Sequence, residues 1–189
     1  MHNPLSTEPR HPFSVLARAA AFAAERHQGQ QRKDAARSPY ITHPLALVDV
    51  LVSEAGVTDI TVLCAALLHD VIEDTPTQPA ELHAQFGAEV ALVVMEVSDD
   101  KTLSTARRKQ LQIEHAPRLS TAARLVKLAD KICNLRDILD APPADWSTAR
   151  RLEYFVWAGQ VIDGLRGVHD GLEAIFDAVH ARHVELVVG

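Results

Sequence analysis

Apolar residues recur at three- and four-residue spacing along most of the chain, the pattern of helices with one buried side. Residues 13–27 form an Ala-rich stretch for which Ser14 offers an N-cap. A polar segment follows over 28–40, carrying Arg32, Lys33 and Arg37. A helix is predicted over 43–55, with Pro44 near its first position and Gly56 at its C-terminal cap. The next runs from a cap at Thr58 or Asp59 to about Asp74, where Thr75-Pro76 stops it. Two short helices are expected over 78–86 and 88–97, although Val90, Val93, Val94 and Val97 also suit a strand. Further helices are predicted over 103–115, from a Ser120 cap to about Leu139, over 147–166 and over 170–184. Residues 1–12, with Pro4, Pro9 and Pro12, read as a loose leader to one domain over 13–185. The expected fold is all-α, a single helical bundle of about eight to ten helices with short connections.

Composition narrows the partners. With 189 residues the chain is long enough for a core without disulfides. Its 19 basic and 25 acidic residues give a formal charge of −6. That balance argues against a broad nucleic-acid surface or an anionic-membrane surface, so neither partner is expected. Only two cysteines occur, which fits a reducing compartment. The first residues lack the apolar core of a signal peptide, and the longest uncharged apolar run is about 62–68. A cytoplasmic location is the expectation.

Against this background several polar residues sit where a core belongs. Seven apolar or small residues lead directly into His69-Asp70, and Glu73-Asp74 follow one turn later. On a continuous helix Asp70, Glu73 and Asp74 would share one face. Crowded carboxylates beside a core repel one another and are costly to bury, and a divalent cation offsets both. A second helix places Asp130, Asn134 and Asp137 in one stripe, with Asp130 set among Leu128, Ala129 and Ile132. Taken alone, Asp130 also suits an ion pair with Lys127 or Lys131. His43, at a helix start beside Pro44, is the third element. Together His43, His69, Asp70 and Asp130 offer two nitrogens and two oxygens, a donor set suited to Mn²⁺, Fe²⁺ or Mg²⁺, with Zn²⁺ also compatible. Arg107, Arg108 and Lys109 read as a solvated helix face, and His83, His115, His169, His180 and His183 as surface residues.

The order H…HD…D resembles the HD superfamily of metal-dependent phosphohydrolases. The segments HQGQQRK (27–33), PYITHP (39–44), AALLHDVIEDT (65–75), FG (86–87), EVSDDK (96–101) and VKLADKICNLRD (126–137) are similar to the hydrolase domain of RelA/SpoT enzymes. EYF at 153–155 is similar to the small stand-alone alarmone hydrolases, including the metazoan type. The likeness covers roughly 13–180. It implies hydrolysis of guanosine 3′,5′-bis(diphosphate) (ppGpp) and its pentaphosphate (pppGpp), removing the 3′-pyrophosphate with one Mn²⁺ per chain. It also implies His43, His69, Asp70 and Asp130 as metal ligands and Glu73 and Asp74 as the catalytic pair. Arg32, Lys33 and Asn134 are implied as nucleotide-binding, as are Arg150 and Tyr154 in the small enzymes. NADPH is a further substrate the resemblance admits. Cys133 and Thr105 depart from the pattern, which more often has an aromatic residue and a lysine there. The length leaves no room for the family's synthetase domain, and the oligomeric state stays open. Three rivals remain at this stage: an HD-type 5′-nucleotidase, a non-catalytic nucleotide sensor and a purely structural bundle.

Overall fold

The computed structural model describes residues 11–188, and among them all regular structure is helical apart from one isolated bridge between Gln31 and Pro39. Nine α-helices have eight residues or more: α1 (Pro12–Arg26), α2 (Thr42–Asp49), α3 (Ile60–Leu68), α5 (Pro79–Phe86), α6 (Ala88–Val97), α7 (Thr105–His115), α8 (Thr121–Asp140), α9 (Thr148–Asp163) and α10 (Asp170–Ala181). The short α4 (Val71–Asp74) and α11 (Glu185–Val188) complete the set. Of the leader expected over 1–12, residues 1–10 lie outside the described residues, and Pro12 opens α1. Proline suits that first position, where its missing N–H would have no partner. Ser14 therefore lies inside the helix rather than capping it, its hydroxyl donating to the His11 carbonyl.

Helix α3 is the centre of the bundle. Val62 through Leu68 are all buried, and α3 packs against α1, α2, α6 and α8. Its start is fixed by Asp59, whose carboxylate accepts from the amides of Thr61 and Val62. Replacing Asp59 with alanine leaves those amides without that acceptor. Urea unfolding should then show a loss of about 1 kcal/mol with the fold retained.

Two departures from the periodicity reading, and the choice it left open at 88–97, have local causes. The helix expected over 43–55 tightens poorly at its end: Val50–Glu54 is a π-helical segment, tied to α8 by Arg136, whose two Nη atoms donate to Glu54 at 2.6 and 2.8 Å. The valine run at 88–97 is the expected helix and not the strand its residues also suit. Gly87, at φ 92°, reverses the chain so that α6 packs back on α5 and buries Val90, Val93, Val94 and Val97. Burial of those branched side chains outweighs their intrinsic preference. Finally, the helix expected over 59–74 breaks at His69-Asp70. His69 Nδ1 lies 2.8 Å from the Ala66 carbonyl, the acceptor that the Asp70 amide would need to continue the helix. Asp70 then caps α4, its carbonyl accepting from the Asp74 amide at 2.8 Å, so Asp70, Glu73 and Asp74 still line one cleft.

Candidate metal centre and substrate cleft

Helices α2, α3 and α8 converge on a cleft of about 700 Å³. His43 from the first turn of α2, His69 at the end of α3 and Asp130 from mid-α8 are all buried there. One ligand atom from each lies within 4.8 Å of the others. His43 Nε2 is 3.2 Å from Asp130 Oδ1, and His69 Nε2 is 3.9 Å from it. Asp70 is not part of that tight trio. Its Oδ2 lies 2.9 Å from His69 Nε2 and accepts the hydroxyl of Tyr40.

The donor set fits a cation. His69 Nδ1 is engaged by the Ala66 carbonyl, which leaves Nε2 as the coordinating nitrogen. That Nε2 is buried and makes no aligned hydrogen bond. Without a bound cation the imidazole carries a proton instead. Burial favours its neutral form, but Asp70 and Asp130 outweigh burial and lift its pKa to about 9. Asp130 is held well below the usual carboxylate range: burial opposes this, and Lys131 and the two histidines override it. Lys131 Nζ donates to Asp130 Oδ2 at 2.9 Å, so of the two lysine partners open to Asp130, Lys131 is the one that forms the pair.

Glu73 and Asp74 face the same cleft. Glu73 accepts from the Asp99 amide at 3.1 Å and from Arg108 at 3.3 Å, and Lys101 lies 3.5 Å away. Burial raises its carboxyl above the ordinary 4.5. Asp74 is paired with Lys101, and its carbonyl accepts from Gln30 at 2.9 Å. Arg108 is thus part of the cleft's ionic frame, not the solvated residue that composition suggested. His180 likewise is tied down, its Nε2 lying 3.0 Å from the Phe155 carbonyl.

Of the residues implied as nucleotide-binding, Arg32, Lys33, Asn134 and Tyr154 line the cleft. Arg32 is paired with Asp137, and the Asn134 amide donates to Asp130 Oδ1 at 2.6 Å. One Asn134 N–H is therefore spent on orienting Asp130, and the second is left for a ligand. Arg150 does not reach the lining; its guanidinium stacks on Trp146, which does, at 4.5 Å from the ring centre. Thr105 and Cys133, the two departures from the family pattern, also lie off the lining.

Sequence reasoning gave no role to Tyr40, Trp146, Trp157, Asp99 or Gln112, all of which line the cleft. Tyr40 lay inside a motif already singled out, three residues before His43, and that position was its signal. The aromatic wall had less warning. Trp146, Tyr154 and Trp157 stand 5.7 and 5.0 Å apart in sequence order, with Lys109 and Lys131 over the Trp157 ring. Only the packing of α9 beside α7 and α8 brings them to the cleft.

A family model described as an HD domain matches residues 19–159. A Xenopus tropicalis protein named guanosine-3′,5′-bis(diphosphate) 3′-pyrophosphohydrolase MESH1 is 51% identical, over 87% of this chain and 92% of its own. The Homo sapiens protein of the same name is 53% identical, over 84% and 88%. Among solved structures, a metazoan orthologue of SpoT described as hydrolysing ppGpp superposes with a TM-score of 0.87 at 42% identity, covering 94% of this chain and 98% of that one.

Proposed function

The chain belongs to the HD-domain family, in the branch of small stand-alone alarmone hydrolases, and on that premise we propose how its cleft performs the reaction. The enzyme hydrolyses guanosine 3′,5′-bis(diphosphate) to GDP and pyrophosphate. The observation that carries the mechanism is the convergence of His43, His69 and Asp130 in one cleft with Glu73 and Asp74.

Our metal set is His43, His69, Asp70 and Asp130, and our choice of ion is Mn²⁺, since mixed nitrogen and oxygen donors favour a harder cation than a thiolate site would. Such an ion supplies Lewis acidity to a phosphoryl oxygen and acidifies water. The chain does the rest. Glu73, held by the Asp99 amide and Arg108, and Asp74 beside it take the proton of the attacking water and return it to the ribose 3′ oxygen. The raised carboxyl of Glu73 makes it a better base once ionised. Asn134 and Asp137 orient Asp130 and Arg32, and Arg32 and Lys33 meet the nucleoside. Tyr154, in the aromatic wall, offers a face for it.

We also assign pppGpp as a substrate and a cytoplasmic site of action. No described helix is long and apolar enough to cross a membrane. Both cysteines are buried, and burial pushes their thiols up to about 11 at Cys64 and about 12 at Cys133, which keeps them inert.

A substrate panel tests the reading. Chelator-stripped protein given Mn²⁺ should release pyrophosphate from ppGpp and pppGpp and leave GMP untouched, with NADPH as a further arm. Full turnover without any divalent metal, or a preference for GMP, would refute it.

A further inference from the structure

Five cations line the cleft: Arg32, Lys33, Lys101, Lys127 and Lys131. Three already have carboxylate partners, Arg32 on Asp137, Lys101 on Asp74 and Lys131 on Asp130. Lys33 is exposed to solvent. Lys127 differs from all of these. It is only 9% exposed, yet among the described residues it makes no ion pair and no hydrogen bond. Burial opposes its charge, and Asp130, Asp99 and Asp70 act on it only from beyond ion-pair distance, so its N–H donors are free for an anion that enters the cleft.

Its position along α8 says which anion. Lys127, Asp130, Asn134 and Asp137 all line the cleft and lie on one face of the helix. Lys127 and Asp137 are about 15 Å apart along the axis, at about 1.5 Å per residue. Asp130 lies between them at the metal centre, and Arg32 marks the Asp137 end. Lys127 also borders a second cavity of about 180 Å³, which shares Val97, Asp99 and Gln112 with the cleft. Arg108 lines that cavity too, and its buried Nε has no partner. Space and unpaired donors thus continue past the metal centre on the side away from the nucleoside.

We propose that Lys127 holds the terminal phosphate of the substrate's 3′-pyrophosphoryl group. The inference rests on the reaction proposed above. In that reaction the water oxygen bonds to the phosphorus attached to O3′, the P–O3′ bond breaks, and O3′ keeps the proton. Pyrophosphate departs carrying the water oxygen. Lys127 transfers no proton; its charge fixes the second phosphorus, and so aims the first at the water.

The test uses Mn²⁺-loaded protein with Lys127→Met and Lys127→Arg, both matched in length. Calorimetric titration with inorganic pyrophosphate should show binding weakened about 10- to 100-fold in K127M and largely kept in K127R. Orthophosphate, which needs only the metal centre, should bind with less than about threefold change, and manganese content should be unaltered. The kcat/KM on ppGpp should fall with the pyrophosphate affinity. Unchanged pyrophosphate binding would overturn the proposal. So would equal weakening for both anions, or loss of manganese, since Lys127 would then only neutralise the carboxylates around the ion. Should K127M fail to fold, Lys127→Gln replaces it with the same criteria. Should the wild-type protein not hydrolyse ppGpp, the assigned reaction falls, while the pyrophosphate titration still decides the role of Lys127.

Discussion

Replacing His69 with alanine should abolish hydrolysis and metal binding together. The variant removes His69 Nε2, a buried ring nitrogen of the trio that faces Asp130 and has no aligned hydrogen-bond partner. It leaves the pair between Asp130 and Lys131 intact. Asp130→Asn would be a poorer choice, because it strands the buried Lys131 ammonium and confounds stability with chemistry. Lewis-acid stabilisation is worth several kcal/mol, so kcat/KM should drop at least about 10⁴-fold. Metal analysis of the purified variant should find the site depleted, with the helical circular dichroism retained. The same residue sets a pH signature in the wild type. A cation taking His69 Nε2 must displace a proton whose pKa is about 9, so metal affinity rises with pH up to that value and falls below it. Calorimetry in two buffers of different ionisation enthalpy should register about one proton released per ion at neutral pH. Retained activity in the variant, or binding independent of pH between 6 and 8, would contradict the assignment.

Glu73→Gln should lower kcat about 10³-fold with the metal still bound, the range expected for loss of a positioned base. Glutamine keeps the shape and can still engage Arg108 and the Asp99 amide, so the loss reports the missing charge and not a collapsed loop. In the wild type, burial raises the Glu73 carboxyl above 4.5, and only the ionised form accepts a proton. The acid limb of kcat/KM should therefore fall at a pH above that of an ordinary glutamate, and the variant should lose that limb. If E73Q lost manganese instead, Glu73 would belong to the metal set.

The break at His69-Asp70 illustrates how far local pattern carries. Seven apolar residues ahead of a charged group mark a buried helix end, and the chain does place His69 at the floor of the cleft. What periodicity missed was the turn itself, because it depends on one side-chain nitrogen taking a backbone carbonyl. The valines of α6 show the opposite case: periodicity gave the helix although the branched side chains also suit a strand, and the reversal at Gly87 with burial against α3, α5 and α8 holds that helix. Arg150 shows a third. Its spacing to Tyr154 placed both on one helix face, but the face turns so that Tyr154 lines the cleft and Arg150 caps Trp146 from outside.

By itself, then, the sequence determined the helical class and the chemical types gathered at the site, because apolar spacing and misplaced charges are properties of single helices. Which charge meets which was decided by the fold. Arg32 pairs with Asp137 across 105 positions, Arg108 with Glu73 across 35, and Tyr40 with Asp70 across 30. Coulomb and hydrogen-bond partners form where packed helices bring them within a few ångströms. That meeting is fixed by how the apolar faces of α1, α2, α6 and α8 close on α3, and helical spacing along one segment carries no record of it.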